Sequence, residues 1–166
     1  FGDGAGAAYL EESDKGIISV VQGSIGKKGM VLNCESRRTH NIFTEAGIEH
    51  DYLHMDGQEV YKFAVRQCPK CLLEALEKAD MTADDIDYFV LHQANVRIIE
   101  SVAKRLKAPI EKFPMTLGYT GNMSAASVPV MLDSLVRDGG LKRGDKVAMS
   151  AFGAGLTLSL IHISEP

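Results

Sequence analysis

The spacing of apolar residues along this chain changes period several times, and each change marks an element. Ile17, Ile18, Val20 and Val21 crowd residues 16–24 and predict a strand. Residues 26–50 are polar and turn-rich, an expected surface excursion, and residues 51–55 form a short candidate strand. From residue 58 to residue 78, Val60, Ala64, Val65, Cys68, Leu72, Ala75 and Leu76 recur at helical intervals. They predict a long amphipathic helix, kinked at Pro69. Thr82 followed by Asp85 has the spacing of a capping box. Residues 87–91 then read as a strand, 95–107 as a helix, 117–122 as a loop and 124–137 as a helix stopped by Gly139-Gly140. Residues 146–150 and 156–163 read as two further strands, and the first ten residues as a Gly/Ala-rich stretch that turns strand-like.

Strands that alternate with helices predict a layered α/β architecture, in which ligands bind beyond the carboxyl ends of the strands. His92 occupies such an end, directly after the apolar run Tyr88-Phe89-Val90-Leu91. Asn95 is placed to cap the helix that follows, which sets His92 near the positive end of a helix dipole. That field favours a neutral ring donating one hydrogen bond. The plainer alternative is a histidine satisfied within the core.

Composition narrows the partners. With 166 residues, 45% of them hydrophobic, the chain has the material for one domain. A net charge of −4 argues against nucleic acid or an anionic membrane as a partner of the whole surface, so any basic site is local. No apolar stretch reaches the ~18 residues of a membrane span. The chain opens at Phe1 in what reads as the middle of a fold, and is expected to be a piece of a longer protein. Its three cysteines make no disulfide framework. Cys68 and Cys71 have metal-ligand spacing but no second pair, and lying in a helical pattern they read as packing residues, with no metal site.

Two more stretches carry candidate chemistry. Gly121-Asn122-Met123-Ser124-Ala125-Ala126-Ser127 sets a permissive backbone position beside an amide and then a run of tiny side chains, or is simply a helix start packed closely. Ala151-Phe152-Gly153-Ala154-Gly155 can aim backbone N–H groups at a developing oxyanion, or is an ordinary turn. Phe1-Gly2-Asp3-Gly4-Ala5-Gly6-Ala7 lacks the spacing and the following helix of a dinucleotide loop.

Taken in order with Met55-Asp56-Gly57-Gln58-Glu59-Val60, His92-Gln93-Ala94-Asn95-Val96-Arg97-Ile98-Ile99 and Ser127-Val128-Pro129, these stretches resemble one family across residues 1–157. It is beta-ketoacyl-acyl-carrier-protein synthase III, of the thiolase superfamily. Plant-type polyketide synthases share the Gly-Asn-Met-Ser stretch, but Gln93-Ala94-Asn95 matches the synthase III branch.

The resemblance implies the C-terminal half of a duplicated α/β/α/β/α sandwich, in a cytoplasmic homodimer. It implies an acyltransferase that joins an acyl-CoA starter to malonyl-acyl-carrier protein with loss of CO₂, these being substrates, with no cofactor. Alternatives are a synthase III-like enzyme of a secondary-metabolite pathway and a non-catalytic subunit that binds acyl carriers. The family's catalytic histidine and asparagine map onto His92 and Asn122, and its oxyanion loop onto Phe152, Gly153 and Ala154. Residues matching Met55, Gly57, Ala94, Asn95 and Arg97 read the coenzyme A or carrier arm, and Lys62, Lys104 and Arg105 dock the carrier protein. Arg66, Lys70 and Lys107 are read as a solvated face. No cysteine stands in the family's nucleophile context, so the chain is expected to hold half an active site and to be inert alone. Residues 158–166 depart from the family pattern and are read as a non-native tail.

Overall fold

The computed structural model describes residues 1–34 and 52–164, the last three of these by backbone alone. The chain forms strands β1 (Ile17–Ser24), β2 (Leu32–Asn33) and β3 (His54–Met55), then helix α1 (Gly57–Lys78) and strand β4 (Tyr88–Leu91). Helices α2 (Val96–Leu106), α3 (Leu117–Thr120) and α4 (Ser127–Arg137) follow, and strands β5 (Lys146–Gly153) and β6 (Thr157–Ser164) close the order. The main sheet runs β1-β6-β5-β4. β6 is antiparallel to both neighbours and β4 is parallel to β5, so β1, β5 and β4 all point their carboxyl ends the same way.

Each face of the sheet gathers its own core. Ser19 and Val21 of β1 are buried while Ile18, Val20 and Gln22 are exposed, an alternation that assigns the two faces. On one face Phe63, Ala64, Leu72 and Leu76 of α1 and Ile99 and Val102 of α2 pack on Val21, Phe89, Ala148, Leu158 and Leu160. On the other, Met131 of α4 covers Val90 and Val147. β4 is therefore apolar along its whole length because both of its faces are covered.

Most expected elements form, with instructive departures. α1 runs without interruption through Pro69, which is buried within it. Residues 1–10 make no strand; they lie as extended chain against the Gly121 region. The expected loop at 117–122 contains a helical turn, because Tyr119 and Thr120 N–H groups both reach Thr116 O at 3.0 Å. The helix expected from Ser124 starts as a 3-10 turn, and α-geometry begins only at Ser127. Of the turn-rich stretch, residues 26–34 form a 3-10 turn and β2, while residues 35–51 lie outside the described residues. Thr82 and Asp85 do form a reciprocal cap, with Thr82 N–H and O–H both donating to Asp85 Oδ2 at 2.7 Å, on a 3-10 turn. β6 includes the divergent residues after Thr157 and sits between β1 and β5, with Leu158 and Leu160 buried.

Candidate active site

The site is built at the carboxyl end of β4. His92 N–H donates to Ser150 O at 2.8 Å, extending the parallel pairing one residue past the strand. The chain then turns, with Ala94 N–H reaching back to His92 O at 3.0 Å. Asn95 caps α2 by accepting from Arg97 N–H at 2.9 Å. Gln93 points inward and is completely buried. Its Nε2 donates to Leu91 O at 2.9 Å and Pro114 O at 3.4 Å, while Oε1 accepts from Thr116 N–H at 3.1 Å. A buried amide with all these partners is a brace, because leaving any of them unmet in a dry site is costly.

The His92 ring is held on two sides. Nδ1 lies 2.6 Å from Ser127 Oγ, and Phe152 meets the ring edge-on with centroids 5.2 Å apart. Phe152 is itself backed by Phe63 at 6.5 Å. Burial pushes the imidazolium below the ordinary histidine range, so the ring is neutral at pH 7. It lines a cavity of about 300 Å³ together with Ser124, Ser127, Val128, Phe152 and Gly153.

Asn122 comes from a different loop, and its placement depends on backbone geometry. Gly121 takes φ 65 and Ser124 φ 53, two left-handed positions flanking the turn. Asn122 Oδ1 accepts from Ser124 N–H at 2.8 Å, which leaves the amide Nδ2 without a protein acceptor among the described residues. Gly2 N–H donates to Asn122 O at 2.8 Å, and a Cβ on Gly2 would stand 2.0 Å from Thr120 O. The glycines that imitate a dinucleotide loop are thus there for close approach to this turn.

Not every expected residue joins this centre. Phe152 and Gly153 line the cavity but belong to β5, and the turn proper is at residues 154–156. The left-handed angle in that turn falls on Gly155 (φ 129), so Ala154 escapes it. Ala154 is exposed and does not line the cavity. Neither does Asn122, which is tied to it through Ser124. Met55 and Gly57 are exposed at the start of α1, flanking the Asp56 cap, whereas Ala94, Asn95 and Arg97 stand at the start of α2. No hydrogen bond joins the two groups among the described residues. Lys62 is exposed and shares Glu59 with Lys28, at 2.8 and 2.7 Å, which holds the Glu59 carboxyl down to about 2. Lys104 and Arg105 are exposed in the last turn of α2, roughly 10 Å along the axis from Arg97.

Cys68 and Cys71 are buried packing residues. Desolvation raises both thiols, Cys68 to about 12, so neither is a thiolate at neutral pH. Ser150 Oγ is buried beside the Cys68 thiol. Among the described residues no three His, Cys, Asp or Glu side chains cluster to hold a metal. Sequence reasoning missed Gln93, Ser127 and Gly2 as parts of the site. The available signal was the place of Gln93 beside His92, just past the end of the apolar run at Leu91.

The comparisons with known proteins decide the family. The family model for the 3-oxoacyl-[acyl-carrier-protein] synthase III C-terminal region matches residues 76–163. This chain belongs to the synthase III family. A beta-ketoacyl-[acyl-carrier-protein] synthase III of Synechococcus sp. (strain WH7803) is 47% identical over 163 residues, covering 95% of this chain and 48% of that protein. The crystal structure of a synthase III from Thermus thermophilus is 37% identical with a TM-score of 0.81, covering 93% of this chain and 48% of that one. The priming beta-ketosynthase of the R1128 polyketide pathway is similar to the same degree, with 37% identity, a TM-score of 0.81, and coverage of 91% and 45%. The chain spans about half the length of the curated relatives it matches, and its sheet with helices on both faces is the thiolase-like layered α/β fold of the synthase III structures.

Proposed function

We propose that this chain carries the decarboxylating half of a condensing acyltransferase that joins an acyl-CoA starter to malonyl-acyl-carrier protein. The observation that supports this is the His92 ring, neutral and anchored through Nδ1, which leaves Nε2 for the cavity at the sheet's carboxyl end. In the reaction the bond between the malonyl carboxylate and its α-carbon breaks and CO₂ leaves. The electron pair moves into the thioester as an enolate. His92 and Asn122, as neutral N–H donors, stabilise the charge that gathers on the thioester oxygen, and neither is acidic enough to quench the carbanion. That carbanion attacks an acyl thioester on a cysteine supplied by the other half of the protein. A carbon–carbon bond forms and the cysteine thiolate departs.

Phe152, Gly153 and Ala154 border the acyl-cysteine, with the Ala154 N–H as an oxyanion donor. Met55, Gly57, Ala94, Asn95 and Arg97 receive the coenzyme A or phosphopantetheine arm. Lys62, Lys104 and Arg105 dock the acidic carrier. The likeness to the synthase III family supports a cytoplasmic homodimer that needs no cofactor for the whole protein, and this chain alone is inactive. The R1128 priming ketosynthase supports a second reading, a secondary-metabolite enzyme with another starter. Residues 158–166 are proposed to be non-native sequence, although residues 158–164 lie in β6; recovery of the same codons on resequencing the locus would refute that.

The test compares two half-reactions in the complete protein. His92→Ala and Asn122→Ala should each lower malonyl decarboxylation by about 10²–10³. Labelled acyl-enzyme formation from acyl-CoA should survive. Equal loss of both half-reactions in folded variants would sink the assignment.

A further inference from the structure

We propose that Ser127 is a positioning residue that sets the tautomer of His92, donating its hydroxyl proton to Nδ1 so that Nε2 carries the N–H facing the cavity. The inference rests on the reading of His92 as an oxyanion donor and deepens it. It follows from an accounting of protons. Ser127 is fully buried, and its Oγ has two partners among the described residues, His92 Nδ1 at 2.6 Å and the Gln93 backbone N–H at 3.3 Å. The Gln93 N–H can only donate. If Nδ1 were also protonated, the hydroxyl would accept twice and its own proton would be orphaned in a dry site. Buried donors are rarely left that way. Donation from Ser127 to Nδ1 leaves every group satisfied.

The consequence for catalysis is one of sign. With Nδ1 bare, Nε2 offers a proton to a developing oxyanion; with the other tautomer it would offer a lone pair and repel it. Gln93 completes the device, since its buried side chain fixes the backbone whose N–H donates to a lone pair of Ser127 Oγ. Ser127 opens α4 and His92 follows β4, so the contact joins two residues 35 positions apart in sequence.

The experiment uses the complete protein labelled with ¹⁵N-histidine, with His92 assigned by comparison with His92→Gln. Long-range ¹H–¹⁵N correlation at neutral pH should show a single neutral Nε2–H ring. In Ser127→Ala the ring should populate both tautomers, and malonyl decarboxylation should fall roughly tenfold, the effect of one hydrogen bond, while self-acylation is retained. Ser127→Thr keeps the hydroxyl and should restore both the spectrum and the rate. An Nδ1–H ring in the wild type, or a tautomer unmoved by Ser127→Ala, overturns the proposal. The wild-type spectrum judges it even if a variant fails to fold. Should His92→Ala impair both half-reactions alike while the ring remains Nε2–H under the control of Ser127, the reading of His92 as an oxyanion donor falls and the Ser127 assignment stands.

Discussion

The two faces of one sheet differ in how completely this chain covers them. On the α1 and α2 face the contacts are closed, with Ala64, Leu72, Ala75 and Val102 fully buried. On the α4 face the buried apolar cluster among the described residues is Val90, Met131 and Val147, while Val128, Leu132 and Leu135 remain partly open. Ile18 and Val20 of β1, on that same face, are 41% and 43% exposed. The first face is a scaffold that α1 and α2 complete by themselves. The second carries Ser127 and the Gly121 turn, so the candidate site draws on the less covered layer. A site that admits a ligand has reason to sit where packing is incomplete, and its geometry must then be held by hydrogen bonds.

The largest effect expected from this difference is on stability. Leu72→Ala on the closed face should cost about 2–5 kcal/mol, because the surrounding core cannot collapse onto the void. Leu132→Ala on the open face should cost under about 1.5 kcal/mol, since less area leaves water. Urea melts of this 166-residue chain, whose two faces are the ones compared, measure both, and equal costs would break the comparison. Next comes Gly2→Ala, whose Cβ would meet Thr120 O at 2.0 Å. The opening segment of the chain must shift, and Asn122 loses the N–H that holds its carbonyl. A loss of about 1–3 kcal/mol is expected, with decarboxylation falling more than self-acylation.

A pH dependence sharpens the picture of His92. Its folded value is depressed by burial, so below the ordinary histidine range the unfolded chain takes up a proton that the folded one refuses. Stability tied to His92 is therefore complete above about pH 6.5 and declines as pH falls from there through the folded value. His92→Gln should flatten that part of a melting-temperature profile, and an unchanged profile would mean the ring is not desolvated in solution. The smallest effect on folding is expected at Lys62. Removing its exposed pairing with Glu59 should leave stability almost unchanged because water screens the pair, while carrier binding weakens and loses part of its salt dependence. A stability loss without any change in carrier binding would make Lys62 a purely structural residue.

The local rules made much of this legible. The apolar run at 88–91, the helical period of α1, the Asn95 cap and the packing role of Cys68 and Cys71 all follow from spacing and residue type, and all are found. The failures have a common physical cause. Residues 1–10 form no strand because their partner is the Gly121 turn and not a sheet edge, and only close approach explains their glycines. Phe152 and Gly153 remain in β5 because β6 pairs with them, at Leu158 and Thr157, and postpones the turn to Ala154.

By itself the sequence determined the alternation of strands with helices and the position of His92 at a strand's carboxyl end, since these depend on neighbours within one turn or one strand, whereas the neutrality of its ring comes from burial in the folded core. Tertiary structure alone decided which nitrogen of His92 is engaged, that Gln93 is a brace, and that Gly2 fits against Thr120 beside Asn122. Each of those depends on atoms brought within about 3 Å from distant parts of the chain, and hydrophobic periodicity carries no information at that distance.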